Sequence, residues 1–278
     1  MRIFAFADEA SQELEQQIAA MRRNQLDGLE IRGVDGTNVF DISFDKARQV
    51  RSELDAAGLS TWSVGSPVGK VSIESEDFPG YLEKCRRMLE IAHILGTENI
   101  RMFSFYIPEG KQPEDYRNAV IDRLGAFVDM AAGSGITLCH ENEKGIYGAL
   151  APQCLEIHKA LPQLAAVFDP ANYVQCGQDT LEAWELLHPY VKYMHIKDAL
   201  ADGRIVPAGK GDGNLPVLLR KYQAQGGDVV TMEPHLGAFV GLAELEQAGN
   251  TSHVGALYSY ADSHAAFDAA CDALKALL

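Results

Sequence analysis

The sequence predicts a single (βα)₈ barrel, the TIM-barrel fold class, as one domain over residues 1–278. Three observations lead there. Short apolar runs alternate with longer helical patterns from one end of the chain to the other. Strict alternation of that kind builds a parallel sheet with helices outside it. The length, 278 residues, is close to the roughly 250 that such barrels use. The competing open, doubly wound sheet loses ground because no G-x-G-x-x-G follows the first run.

The elements are read in order. The first run is 3–7, and a helix over 12–25 follows, with Leu14, Ile18 and Met21 at helical spacing and Ser11 placed to cap it. The second run is 28–32, with a helix over 45–57 stopped by Gly58. The third is 59–64, with a helix over 81–95 stopped by Gly96. The fourth is 99–105, with a helix over 114–132 ended by Gly133-Ser134-Gly135. The fifth is 136–141 with a helix over 152–161, and the sixth is 164–169 with a helix over 181–187. The seventh, 191–197, leads through the glycine-rich loop 208–213 to a helix over 215–225. The eighth is 228–233, and a stretch over 234–260, with Phe239, His253, Tyr258 and Tyr260, reads as a lid that includes a short helix over 242–247. The last helix covers 263–278.

Bulk properties narrow the function. The net charge is −15 with no basic run, which disfavours nucleic acid, whose phosphates call for a basic face. No apolar run approaches the roughly 20 residues a membrane span needs. The start, Met1 to Glu9, turns acidic too soon for a signal peptide, so a cytoplasmic location is expected. Five cysteines, none at C-x-x-C spacing, read as reduced, buried thiols. A small-molecule substrate is the expected partner, and a homo-oligomer is compatible with the sequence.

In such a barrel the active site lies at the C-terminal ends of the strands. The fifth run ends His140-Glu141, the sixth Phe168-Asp169, the seventh His195-Ile196-Lys197-Asp198 and the eighth Glu233-Pro234-His235. Parity puts Glu141, Cys139 and Thr137 on the inner face, with Asp169, Val167 and Ala165, with His195, Tyr193 and Val191, and with Glu233, Thr231 and Val229. Four successive strands thus deliver one ligand each. Three neighbouring buried carboxylates are costly without a cation or shared protons. One divalent metal on Glu141, Asp169, His195 and Glu233 resolves the repulsion. Oxygen-rich ligation favours Mn²⁺ or Mg²⁺, and the histidine keeps Co²⁺ and Zn²⁺ open.

The segments ending in Glu141, Asp169-Pro170-Ala171-Asn172, His195-Ile196-Lys197-Asp198 and Glu233 resemble the sugar phosphate isomerase/epimerase family, the xylose isomerase-like barrels. Strand order carries the resemblance over nearly the whole chain, and specific motifs carry it from about 136 to 235. It implies one divalent metal on the four matching residues, with Glu141 and Glu233 as acid and base. The endonuclease IV type of the same barrel adds histidines for a three-metal cluster. Here those places read Ser66, Ser104, Asn172 and Asp212-Gly213-Asn214, so a trinuclear site is not expected.

The reaction expected is isomerisation or epimerisation of a small sugar-like hydroxy-carbonyl compound through an enediolate. A dehydratase of a polyol or cyclic keto-acid on the same barrel, or a non-catalytic sugar or metal sensor, are the alternatives. Lys197, His235 and Asn172 are the expected substrate contacts. His140 has the opposite parity and should pack against a helix. His93, His158 and His188 read as surface or interfacial. Glu30 and Arg32 share the inner face of the second strand and read as an ion pair with each other. The glycine-rich loop offers amides to a phosphate, or else Asp212 or Asn214 caps the following helix.

Overall fold

The computed structural model describes residues 1–237 and 257–278. Eight parallel strands close into a barrel: β1 (Arg2–Ala5), β2 (Gly28–Ile31), β3 (Ser60–Val64), β4 (Asn99–Met102), β5 (Thr137–Glu141), β6 (Ala165–Phe168), β7 (Val191–Ile196) and β8 (Val229–Met232). Each neighbours the next in sequence, and β1 pairs with both β2 and β8 to complete the ring. The outer helices are α1 (Leu14–Arg23), α2 (Phe44–Ala57), α3 (Phe78–Leu95), α4 (Arg117–Ala131), α5 (Ala151–Ala160), α6 (Thr180–Leu187), α7 (Leu215–Ala224) and α8 (Ser263–Lys275). A further six-residue helix, Pro170–Gln175, follows β6 directly. The expected lid helix over 242–247, Phe239 and His253 lie outside the described residues. Among the described residues no helix is long and apolar enough to cross a membrane.

Side-chain parity divides the core into two layers. Phe4, Cys139, Val167, Tyr193 and Val229 form one buried cluster inside the barrel. Their strand neighbours Leu138, Phe168, Met194 and Val230 belong to the larger cluster between sheet and helices. Period-2 alternation produces this split, and burial of each large apolar side chain contributes roughly 1.5–3 kcal/mol. The five cysteines are unpaired, and four are buried.

Helix ends follow local chemistry. Ser43 Oγ accepts from Lys46 N at 3.0 Å to start α2, and Gly58 and Gly96 close α2 and α3 with φ of 71° and 73°, a region glycine enters without a Cβ penalty. Ser11 does not cap α1. Its Oγ accepts from Glu13 N, the helix begins at Leu14, and Asp35 reaches over from the β2 side to accept Leu14 N at 2.8 Å.

The glycine-rich loop is organised by its own chain. The Asp198 carboxylate accepts amides from Ala199, Gly209, Gly211 and Gly213 at 2.9–3.0 Å. Those amides are therefore engaged by an internal anion, contrary to the phosphate cradle considered for them. Neither expected cap acts on α7. Asn214 sits at its start with φ 55° and makes no capping bond, while Asp212 Oδ2 accepts from Ala201 N. A Cβ on Gly211 would stand 2.4 Å from Asp198 Oδ1 and 2.5 Å from Ala199 O. Gly211→Ala is expected to cost about 1–3 kcal/mol, read as a lower urea midpoint. An unchanged midpoint would show that the loop yields freely.

Candidate metal centre

Glu141 is the last residue of β5, Asp169 follows β6, His195 is the penultimate residue of β7 and Glu233 follows β8. All four are buried, and one ligand atom from each lies within 4.8 Å of the others. The parallel register brings them to one level, with Thr231 opposite His195 and Glu141 opposite Val167. Asp169 is held by the β5 and β6 loops together. Its N–H donates to Asn142 Oδ1 at 3.0 Å, Asn142 Nδ2 donates to the Asp169 carbonyl at 2.9 Å, and Asn172 N donates to Asp169 Oδ1 at 3.0 Å. Asn172, expected at the substrate, also sends its side-chain amide to the Asn142 carbonyl at 2.8 Å, which ties these two loops.

Three buried cations surround the acids. Lys197 Nζ lies 3.0 Å from Asp169 Oδ2 and 3.2 Å from Glu233 Oε2. Arg101 Nη1 lies 3.2 Å from Glu141 Oε2 and 3.8 Å from Glu233 Oε1. Arg32 pairs with Asp8, Glu9 and Glu233 at 2.8–3.2 Å. The expected Glu30–Arg32 pairing is replaced by a division of labour: Arg32 serves the carboxylates, and Glu30 accepts from Tyr193 Oη at 2.8 Å and meets His195 Nε2 at 3.0 Å. His195 Nδ1 points the other way, 2.9 Å from Glu141 Oε1 and 3.5 Å from Glu233 Oε2.

His235 is buried against the same acids, its Nε2 3.4 Å from Glu9 Oε1 and 3.5 Å from Glu233 Oε1, and its backbone N–H donates to Glu9 Oε2. Glu9, Glu233 and His235 also converge, but Arg32 already pairs with both of those glutamates. Sequence reasoning missed Arg101, Asp8 and Glu9. Arg101 carried a signal, since its parity on β4 places a charge inside the barrel.

The electrostatics follow from burial and these neighbours. Burial pushes Asp169 up to about 7, with Lys197 opposing and Glu233 and Glu141 adding to the rise. Burial likewise pushes Glu9 up to about 8 against the pull of Arg32. Burial works against a charged His195, yet Glu141 and Glu30 raise it well above its ordinary range. Burial would also lift Glu233, but Lys197 and His235 overcome this and hold it well below the usual carboxylate range. The Lys197 ammonium and the Arg32 and Arg101 guanidinium groups thus offset the charge of the acids.

The residues fit a divalent metal. Glu141 Oε2 and Asp169 Oδ2 are buried and lack any hydrogen bond of good geometry, although Arg101 and Lys197 stand at ion-pair distance. Three carboxylates and an imidazole with one nitrogen turned toward them make a sound donor set for a hard to borderline dication.

Two histidines behind the barrel are also buried. His140, as expected, packs outward, its ring 5.9 Å from that of His158. His158 is buried rather than at the surface, stacked on Tyr190. Burial lowers them to about 3 and about 4. Both bind fewer protons folded than unfolded, so their stabilisation is complete above about 6.5 and is lost as pH falls toward 4 and 3. Each steepens acid destabilisation by up to about 1.4 kcal/mol per pH unit in that window. Glu9 and Asp169 titrate in the opposite sense, so a variant comparison isolates the histidines. The double variant His140→Gln, His158→Gln should show a flatter stability profile between pH 6.5 and 4.5 in urea unfolding. An equal slope would assign acid lability elsewhere.

A family model described as xylose isomerase-like TIM barrel matches residues 18–249. A curated relative, the 3-dehydroshikimate dehydratase of Bacillus anthracis, is 20% identical over 178 residues, which is 63% of this chain and 62% of that protein. The match thus spans less than two thirds of the relative's length. Among solved structures, the probable 3-DHS dehydratase AsbF of Bacillus anthracis superposes with a TM-score of 0.75 at 15% identity, over 99% of this chain and 98% of its own. The IOLI protein with a bound zinc atom gives 0.75 at 16% identity, covering 100% and 98%. The apo 3-keto-D-glucoside 4-epimerase of E. coli gives 0.70 at 16% identity, again covering 100% and 98%. At these identities the structural likeness is one of fold.

Proposed function

The chain belongs to the xylose isomerase-like TIM barrel family, and on that footing we propose that it is a divalent-metal-dependent isomerase or epimerase of a small sugar-like hydroxy-carbonyl compound. The supporting observation is the meeting of Glu141, Asp169, His195 and Glu233 at the C-terminal mouth of the barrel, with two buried carboxylate oxygens there that make no well-aligned hydrogen bond. Those four residues would hold the metal. Manganese suits the oxygen-rich set best, with magnesium, cobalt and zinc as alternatives. When bound, the ion supplies Lewis acidity to the substrate carbonyl, which acidifies the adjacent C–H.

The chain's own groups handle the proton. Glu141 and Glu233 approach the same nitrogen, His195 Nδ1, so the two carboxylates flank one small space. Glu233, held ionised by Lys197 and His235, is in the state a proton acceptor requires. Glu141 stands across the space to return a proton. Return to the opposite face of the same carbon epimerises, and return to the neighbouring carbon isomerises. Lys197 and His235 would hold substrate oxygens, and Asn172, whose N–H donates to Asp169 Oδ1, would keep that ligand in position.

Dehydration is the second reading, favoured by the similarity to a 3-dehydroshikimate dehydratase. It shares the C–H abstraction and then expels a hydroxyl group. Elemental analysis of the purified protein, followed by a panel of ketoses, aldoses and keto-acids with Mn²⁺ in D₂O, tests both. Isomerisation or epimerisation predicts deuterium in a product of otherwise unchanged composition, and loss of water establishes the lyase. A protein that holds no metal and exchanges no substrate hydrogen would sink the proposal.

A further inference from the structure

We infer that Glu30 is a positioning residue for the metal centre: from β2 it fixes His195 so that Nδ1, and not Nε2, is the nitrogen offered to the ion. The inference rests on the metal-centre reading above. Glu30 is fully buried inside the barrel and makes two specific contacts. Its Oε1 accepts from Tyr193 Oη at 2.8 Å, and the same hydroxyl is 3.3 Å from Ser63 Oγ. Its Oε2 lies 3.0 Å from His195 Nε2. An ionised carboxylate only accepts hydrogen bonds, so Nε2 must carry the proton. That contact commits Nε2 to Glu30 and leaves Nδ1 as the nitrogen that faces Glu141 and Glu233 and would be offered to the ion.

Three strands therefore cooperate on one ring. Tyr193 of β7, with Ser63 of β3 against its hydroxyl, holds Glu30 of β2, and Glu30 holds His195. Phe6 contributes by packing edge-on against the imidazole, centroid to centroid 5.2 Å, which limits ring rotation. A carboxylate behind a ligating histidine fixes the tautomer and raises the basicity of the coordinating nitrogen, and loss of such a partner typically costs about 10–100-fold in metal affinity. A structural role alone would predict a less stable fold with unaltered metal affinity.

The test uses Zn²⁺ as probe with the full chain. Zinc affinity is measured by chelator competition for the wild type, Glu30→Gln and Tyr193→Phe, and the melting temperature is recorded in parallel. Glu30→Gln keeps the shape and an acceptor oxygen but loses the charge, so a roughly 10–100-fold weaker Kd is expected, with a smaller loss for Tyr193→Phe. Proton–nitrogen correlation spectra of the zinc-loaded wild type should show His195 protonated at Nε2 and coordinated at Nδ1. A folded Glu30→Gln with a zinc Kd within about twofold of wild type would overturn the inference while leaving the metal centre standing. Coordination through Nε2 in the wild type would overturn it even if Glu30→Gln failed to fold. A wild type that binds no zinc would remove the metal centre and this inference together.

Discussion

Glu233→Gln, assayed at saturating Mn²⁺ on the substrate identified by the panel, is expected to lower kcat by about 10²–10⁴-fold. Glu141→Gln should do the same. Each substitution preserves volume and an oxygen ligand but removes the site that exchanges a proton. Because both glutamates also belong to the ligand set, weaker metal binding is expected alongside, and saturation with metal separates the two effects. If the glutamates work as a relay, the double variant should be little worse than either single one, since groups that act as a unit are not additive. Wash-in of deuterium at the substrate carbon is the sharper readout. Undiminished wash-in in both variants would remove the glutamates from proton transfer.

Lys197→Met carries the second large effect, and it should depend on metal. Lys197 bridges the two acids, 3.0 Å from Asp169 Oδ2 and 3.2 Å from Glu233 Oε2. Removing one partner of a buried ion pair leaves an uncompensated charge at a cost of about 3–5 kcal/mol, so the metal-free variant should melt roughly 10 °C lower. A dication on the same oxygens supplies the missing positive charge, and saturating Mn²⁺ should restore most of the loss. The gap between metal-free and metal-loaded melting temperatures should therefore widen relative to wild type. An equal gap in both proteins would show that lysine and metal do not share these carboxylates.

The barrel and its three converging acids and one imidazole were legible because they depend on two short-range regularities, a side-chain period of two and a spacing of one strand–helix unit. Neither needs knowledge of what lies across the barrel. The same parity argument applied to β4 would have found Arg101. The partners of Glu30 and Arg32 were not legible, because the stagger of the closed sheet decides which inward groups meet. It sets Glu30 against Tyr193 and His195 of β7, three strands away round the ring. His158 was misplaced for a related reason: its helical position gave no sign that Tyr190, from the segment before β7, would cover it. The glycine-rich loop looked like an anion cradle and is one, but its anion is Asp198 of the same chain.

The packed plug of Phe4, Cys139, Val167, Tyr193 and Val229 has a kinetic corollary. It fills the barrel interior below Glu141, Asp169 and His195, so a substrate would reach and leave these groups from the C-terminal side. In a reversible interconversion, spent and fresh molecules then compete for a single vestibule. Because both would bind the same groups, product should raise the apparent KM without lowering the limiting rate.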